Sequence, residues 1–299
     1  MKKHKICKIL LVILAIFLCV AFYELLGICV AYKKQPEVSN TTKKETKNGS
    51  WNECSENTER AVIIEKNPEA LLQRVRLIKN AKKEIILSTF AFQSDESGKL
   101  ILGALHDAAD RGVHIRLLVD GMESWIDMEG NPYFYGLSSH ENVEIKLYNK
   151  ANPLKPWKMM GRMHDKYLIA DGKRYILGGR NTYNYFLGDF PGHKNYDRDV
   201  LVVCDEPEKE NSVNQLSEYF ETIWEQEDSG YFHDNKKLAN RKSVKNAVLE
   251  LQNGYQKYFE ENKERICDTD YTDETFETEK IALVSNPIHT GSKEPVVWY

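Results

Sequence analysis

Residues 163–181 read MHDKYLIADGKRYILGGRN, and the fold reading of the whole chain starts from them. Two apolar runs, 164–170 and 173–177, flank Asp171-Gly172, a dipeptide that favours a tight hairpin turn between strands. Alternation along a strand puts His164 and Lys166 on one face and Asp165, Tyr167 and Ile169 on the other. An imidazole beside an ammonium suits attack on a phosphorus that carries negative charge. After the hairpin, Gly178-Gly179 allows backbone N–H groups to approach phosphate oxygens, and Asn181 adds a neutral amide donor. Taken singly, each residue is ordinary on a surface hairpin, and Asp171 alone reads as a turn former. The set at fixed offsets is what points to phosphodiester chemistry.

Working outward, strands and helices alternate. Residues 61–64, 84–90, 113–119, 143–148 and 200–203 read as apolar strands, and 69–81, 100–111, 212–224 and 243–259 carry helical periodicity. Strands separated by helices predict an α/β fold: a layered α/β/α domain with a mixed, largely parallel sheet and the antiparallel hairpin added. The acidic run 268–279 reads as a solvated linker. Residues 280–285 form an apolar run followed by Asn286-Pro287, echoing 61–64 followed by Asn67-Pro68.

The N-terminus is set apart. Residues 1–8 hold four lysines, 9–23 are unbroken apolar sequence, and 25–32 continue it after Glu24. Such a run is long enough to span a bilayer as a transmembrane signal anchor, and the lysines ahead of it place the N-terminus in the cytoplasm and the bulk of the chain outside. A cleaved signal peptide is the alternative, with a mediocre cleavage site at Cys29-Val30-Ala31. Residues 1–50 carry nine lysines against three glutamates, net +6, so the remainder carries −10 of the overall −4. An acidic domain is poorly suited to capturing nucleic acid through its overall field. Expected boundaries are therefore a basic end at 1–8, the anchor at 9–32, a flexible linker at 33–59, the catalytic lobe at 60–265, the acidic linker at 266–279, and the start of an incomplete second lobe at 280–299. Of six cysteines, Cys54 and Cys267 sit in polar linkers where an oxidising compartment permits a disulfide. No spacing of Cys or His suggests zinc.

The offsets H-x-K-x4-D-x6-G-G-x-N, carried by His164, Lys166, Asp171, Gly178, Gly179 and Asn181, resemble the signature of the phospholipase D superfamily. Residues 94–121, SDESGKLILGALHDAADRGVHIRLLVDG, also look like the region preceding the first catalytic motif there. The resemblance covers roughly 61–205 well and the rest loosely. It implies a phosphohistidine mechanism, in which one histidine attacks phosphorus and a second protonates the departing alcohol. On this chain it implies His164, Lys166 and Asp171 as catalytic residues, with Lys166, Gly178, Gly179 and Asn181 on the phosphate. It also implies an acid that orients the histidine, with Asp199 the best fit and Asp197 the runner-up. No cofactor and no metal are implied, because lysine and amide donors do what a divalent cation does elsewhere. One histidine cannot both attack and protonate at one phosphorus in one step. A missing C-terminal H-x-K lobe or a homodimer partner is therefore expected.

The anchor favours phospholipid hydrolysis or headgroup transfer at a membrane, including cardiolipin-synthase-like exchange. The loop 153–162, PLKPWKMMGR, mixes Trp157, Met159 and Met160 with Lys155, Lys158 and Arg162, as a contact with an anionic interface would require. An extracellular metal-independent nuclease and a catalytically silent lobe remain the alternatives.

Overall fold

The computed structural model describes residues 2–33, 59–158, 161–204, 211–233, 235–279, 281 and 283–285. The linker residues 34–58 with Cys54, Met159 and Met160, and the tail from 286 onward lie outside the described residues. Helix α1 spans Lys2–Lys33, and within it Lys5–Val30 is long and apolar enough to cross a membrane. The helix is apolar on all sides, so no single face of it belongs to a soluble core.

Nine strands form one sheet: β1 Glu59–Ile64, β2 Glu84–Thr89, β3 His114–Asp120, β4 Val143–Tyr148, β5 Lys166–Ala170, β6 Arg174–Gly178, β7 Asp199–Cys204, β8 Ser229–Tyr231 and β9 Phe276–Glu277. Their spatial order is β8-β4-β3-β2-β5-β6-β7-β1-β9. The layered, mixed α/β architecture is as expected, but the sheet is not largely parallel. Only β2–β3 and β3–β4 pair in parallel, and the other six described pairings are antiparallel. The reason is local. Helical crossovers join β2 to β3 and β3 to β4, whereas β5, β6 and β7 form a meander, and β5 enters the sheet antiparallel to β2.

Helices cover both faces. On one lie α2 Asn67–Asn80, α3 Glu96–Asp110, α5 Pro132–Ser138 and α7 Lys242–Glu261, packed on Ile85, Leu87, Ile115, Leu117, Leu168 and Leu201. On the other, α6 Ser212–Trp224 packs Leu216, Phe220 and Trp224 against Ile86, Leu118, Tyr167, Ile169 and Val202. The period-2 alternation of each strand is what feeds the two layers. Two seven-residue helices, α4 Gly121–Asp127 and α5, were not expected; each is capped by a side chain, Asp120 and Asn131 respectively.

The acidic stretch is no solvated linker. The Arg76 guanidinium takes the Asp268 carbonyl at 2.8 Å, the Asp270 carbonyl at 2.7 Å and the Glu274 carboxylate at 3.0 Å. It also stacks over the buried Tyr271 ring at 3.9 Å. Acid and carbonyl oxygens are held there because a buried cation needs them. Helix α8, Lys263–Cys267, leads into this strap, and Phe276–Glu277 then pairs with β1. Residues 281 and 283–285 carry no strand; Ile281 and Leu283 instead pack against the α6 layer. Cys267 is an exposed thiol at the end of α8.

Candidate active site

The turn of the β5–β6 hairpin takes positive φ at Asp171 (54°) and Gly172 (61°), the type I′ pattern that matches strand twist. Asp171 therefore sits at one end of the hairpin, roughly 20 Å of extended chain from His164. Its carboxylate accepts the backbone N–H groups of Lys82 (2.8 Å), Lys83 (2.7 Å) and Glu84 (3.0 Å), tying the hairpin to the start of β2. The expectation of a catalytic Asp171 is corrected: the residue fixes where β5 begins and ends, and touches nothing at the other end.

That other end gathers the remaining motif residues. Strands β2 and β6 finish there, β5 and β7 start there, and Thr89 pairs with Lys166 while Gly178 pairs with Asp199. His164, exposed in the segment that leads into β5, and the buried Lys166 both reach the Phe90 ring. The Lys166 ammonium donates to the carbonyl of His164 at 2.7 Å, and the imidazole meets the Phe90 ring edge-on at 4.6 Å. Phe90 also lies under the Arg162 guanidinium at 4.8 Å and the Lys166 ammonium at 5.4 Å, so one aromatic ring gauges the spacing of three basic groups.

Electrostatics follow from this crowding. Burial lowers the His164 pKa below its usual 6.5, and the neighbouring Lys166 and Arg162 charges push the same way, with Asp120 opposing them. Burial also lowers Lys166 from 10.5 to about 8, against the pull of Asp165 and Asp197. The imidazole is thus kept neutral and the ammonium keeps a proton that it holds weakly.

Asn181 is buried and its side-chain oxygen accepts the Ala91 N–H at 3.3 Å, which fixes the direction of its amide. The glycines act differently from expectation. A Cβ on Gly178 would run into the Asp199 carboxylate and the Arg198 backbone, and one on Gly179 into the Asp197 carboxylate. The Gly179 N–H is already bonded to the Arg198 carbonyl at 3.3 Å. The pair makes room for β7 to approach rather than for phosphate.

Asp199 does not orient the histidine either. Its buried carboxylate is held by Arg74 at 2.9 Å and Arg180 at 3.2 Å, both guanidiniums also buried. Arg180 in turn reaches the Ile64 and Glu65 carbonyls, so the cluster clamps β1, α2 and β7. A carboxylate needed to neutralise two buried cations is committed there. Asp197, the runner-up, is half-buried beside Gly179 and acts on Lys166 by charge.

Three neighbours of the site were not singled out from the sequence. The buried Asp120 accepts the Met163 N–H at 3.0 Å and binds Arg162 at 2.8 Å, setting the backbone that presents His164. Arg162 also binds Glu123 at 2.7 Å. On the opposite face Tyr219 donates to Asp165 at 3.0 Å, and burial raises the Asp165 pKa. Asp120 lies at the C-terminal end of a parallel strand, where open α/β sheets collect ligands; that position was the available signal.

The chain is similar to known proteins. A family profile described as "Cardiolipin synthase, PLD-like domain" matches residues 74–224, half of the chain. The chain is similar to an uncharacterized protein of Helicobacter pylori, 30% identical over 212 residues, covering 66% of this chain and 39% of the relative. It is similar to cardiolipin synthase C of Escherichia coli, 29% identical over 171 residues, covering 52% of this chain and 34% of the relative. The chain thus spans less than two fifths of the length of these curated relatives. Among solved structures, NucT from Helicobacter pylori aligns over 58% of this chain and 99% of its own, with 18% identity and a TM-score of 0.46. On the profile match over half of its length, the chain belongs to the phospholipase D superfamily.

Proposed function

We propose that this chain is a membrane-anchored phosphodiesterase or phosphatidyltransferase acting on phospholipid through a phosphohistidine, with its N-terminus cytoplasmic and its domain outside. The observation that carries the reading is the pairing of His164 with Lys166 at one end of the sheet, with burial lowering the pKa of both. A neutral imidazole is the form that attacks. The ammonium, with Arg162 and the Asn181 amide, stabilises negative charge growing on the non-bridging oxygens. The leaving alcohol takes its proton from a second histidine, supplied by another H-x-K lobe or by a second copy of the chain. Water then resolves the intermediate in hydrolysis, or a second alcohol does so in transfer. Lysine and amide donors supply the charge, so turnover is expected to survive chelation.

The test offers the full chain fluorescent phosphatidylglycerol and single-stranded DNA side by side, with chelator present. Release or exchange of the lipid headgroup supports the reading, and cleavage of DNA alone replaces it with a nuclease. His164→Ala is expected to abolish turnover with the unfolding transition unchanged. Unaltered turnover in that variant removes the site.

A further inference from the structure

The candidate membrane span of α1, 26 residues from Lys5 to Val30, is longer than a bilayer requires. At about 1.5 Å per residue it extends roughly 39 Å, against a hydrocarbon thickness of roughly 30 Å. With Glu24, the one charge between Lys8 and Lys33, set at the headgroup boundary, α1 leaves the hydrocarbon near Tyr23 and Glu24, and its last turns stand among the headgroups. Those turns are where the domain is attached. The Tyr23 hydroxyl donates to the Leu154 carbonyl at 2.9 Å, and Gly27 lies so close to Pro156 that any Cβ there would collide.

Around this attachment large apolar side chains are exposed. Trp125 and Ile126 on α4 are 67% and 68% exposed, and Leu154 is 78% exposed. Between α1 and α4 opens a cavity of about 510 Å³ whose lining mixes Ile28, Trp125 and Leu147 with the charged Glu24, Glu129 and Lys150. Exposed Trp and Leu flanking the emergence point of a spanning helix have one natural solvent, the headgroup and upper acyl layer, where indole rings concentrate. We infer that the face formed by α4 and the 151–156 loop is seated in the bilayer that α1 crosses, with phospholipid chains filling the cavity beside α1. The consequence for the site is direct. Helix α4 holds Glu123 on Arg162 while it presents Trp125 and Ile126 outward, and its cap Asp120 holds the backbone before His164. One short helix thus joins the membrane contact to the candidate active site.

This inference rests on the proposed membrane span of α1, but not on the identity of the substrate. The test uses the full chain in nanodiscs of phosphatidylcholine and phosphatidylglycerol, with and without bromine on the acyl chains, and follows tryptophan emission. Trp125→Phe is compared with Trp224→Phe, whose indole is buried under α6. The expected result is that Trp125→Phe loses a component quenched by bromolipid and Trp224→Phe does not. If the Trp125 component is quenched by acrylamide from water and not by bromine, the face is free and the inference falls. If neither reagent reaches it, a second copy or another protein covers the face, and the inference falls equally. A nuclease on the same anchor gives the same lipid quenching, so the substrate assay can fail while this contact stands. A chain that does not co-elute with the discs ends both the span and the contact.

Discussion

Burial lowers the pKa of both His164 and Lys166, and the Lys166 charge lowers that of His164 further, so in the proposed mechanism their titration sets the working pH range. The histidine must be neutral, and its pKa lies below 6.5, so the acid limb of phosphohistidine formation is expected below pH 6.5. The lysine must be charged, and its pKa of about 8 places the loss of activity on the alkaline side near pH 8. A single-turnover pH profile checks both limbs, and a profile flat to pH 10 contradicts the role given to Lys166. The same shift fixes a stability effect. An ammonium with a folded pKa of about 8 and an unfolded value of 10.5 costs the native state stability below pH 8, and that cost fades between pH 8 and 10.5. Lys166→Met is therefore expected to raise stability by roughly 1–3 kcal/mol at pH 7, with the gain vanishing above pH 10.5, while turnover is lost. Urea unfolding at both pH values measures it. Asp171→Ala has the opposite profile: about 1–2 kcal/mol less stable through loss of its bonds to the β2 amides, with turnover of the folded fraction retained. A collapse of turnover beyond the loss of fold would return Asp171 to the site.

Elements explain which of these roles could be read in advance. The hairpin was legible because an Asp-Gly turn between alternating strands determines its own register. The longer helices were legible from period alone. Asp171 was not, since a turn aspartate and a catalytic one occupy the same letter at the same offset, and only the β2 amides tell them apart. Asp199 misled for a similar reason: strand spacing places an acid at the right end of the sheet, but its partners Arg74 and Arg180 come from α2 and from the segment after β6. The seven residues of α4 are too few for a periodic signal, which is why Asp120 and Glu123 went unmarked beside Arg162. The acidic strap read as solvated because its partner, Arg76, lies far back in the chain on α2. The clamp on β7 carries its own prediction. Asp199→Asn leaves two buried guanidiniums short of a counter-charge and is expected to cost roughly 3–5 kcal/mol by chemical denaturation. A loss below about 1 kcal/mol would show that the cluster is not what holds β1, α2 and β7 together.

At the scale of the whole molecule, the proposed mechanism calls for a second histidine, and a second copy of the chain is one source of it. If a second copy supplies it, sedimentation of the full chain in detergent is expected to separate a monomer from a dimer, with diester cleavage confined to the dimer. Full activity in the monomer fraction would contradict that. The manner of any such association is limited by the flanks of the sheet. Among the described residues the outermost strands, β8 and β9, are three and two residues long, and each covers part of a longer neighbour. Stubs of that size offer too few unpaired amides to template a foreign strand. Two copies of the described sheet brought side by side therefore find no long strand edge to zip along.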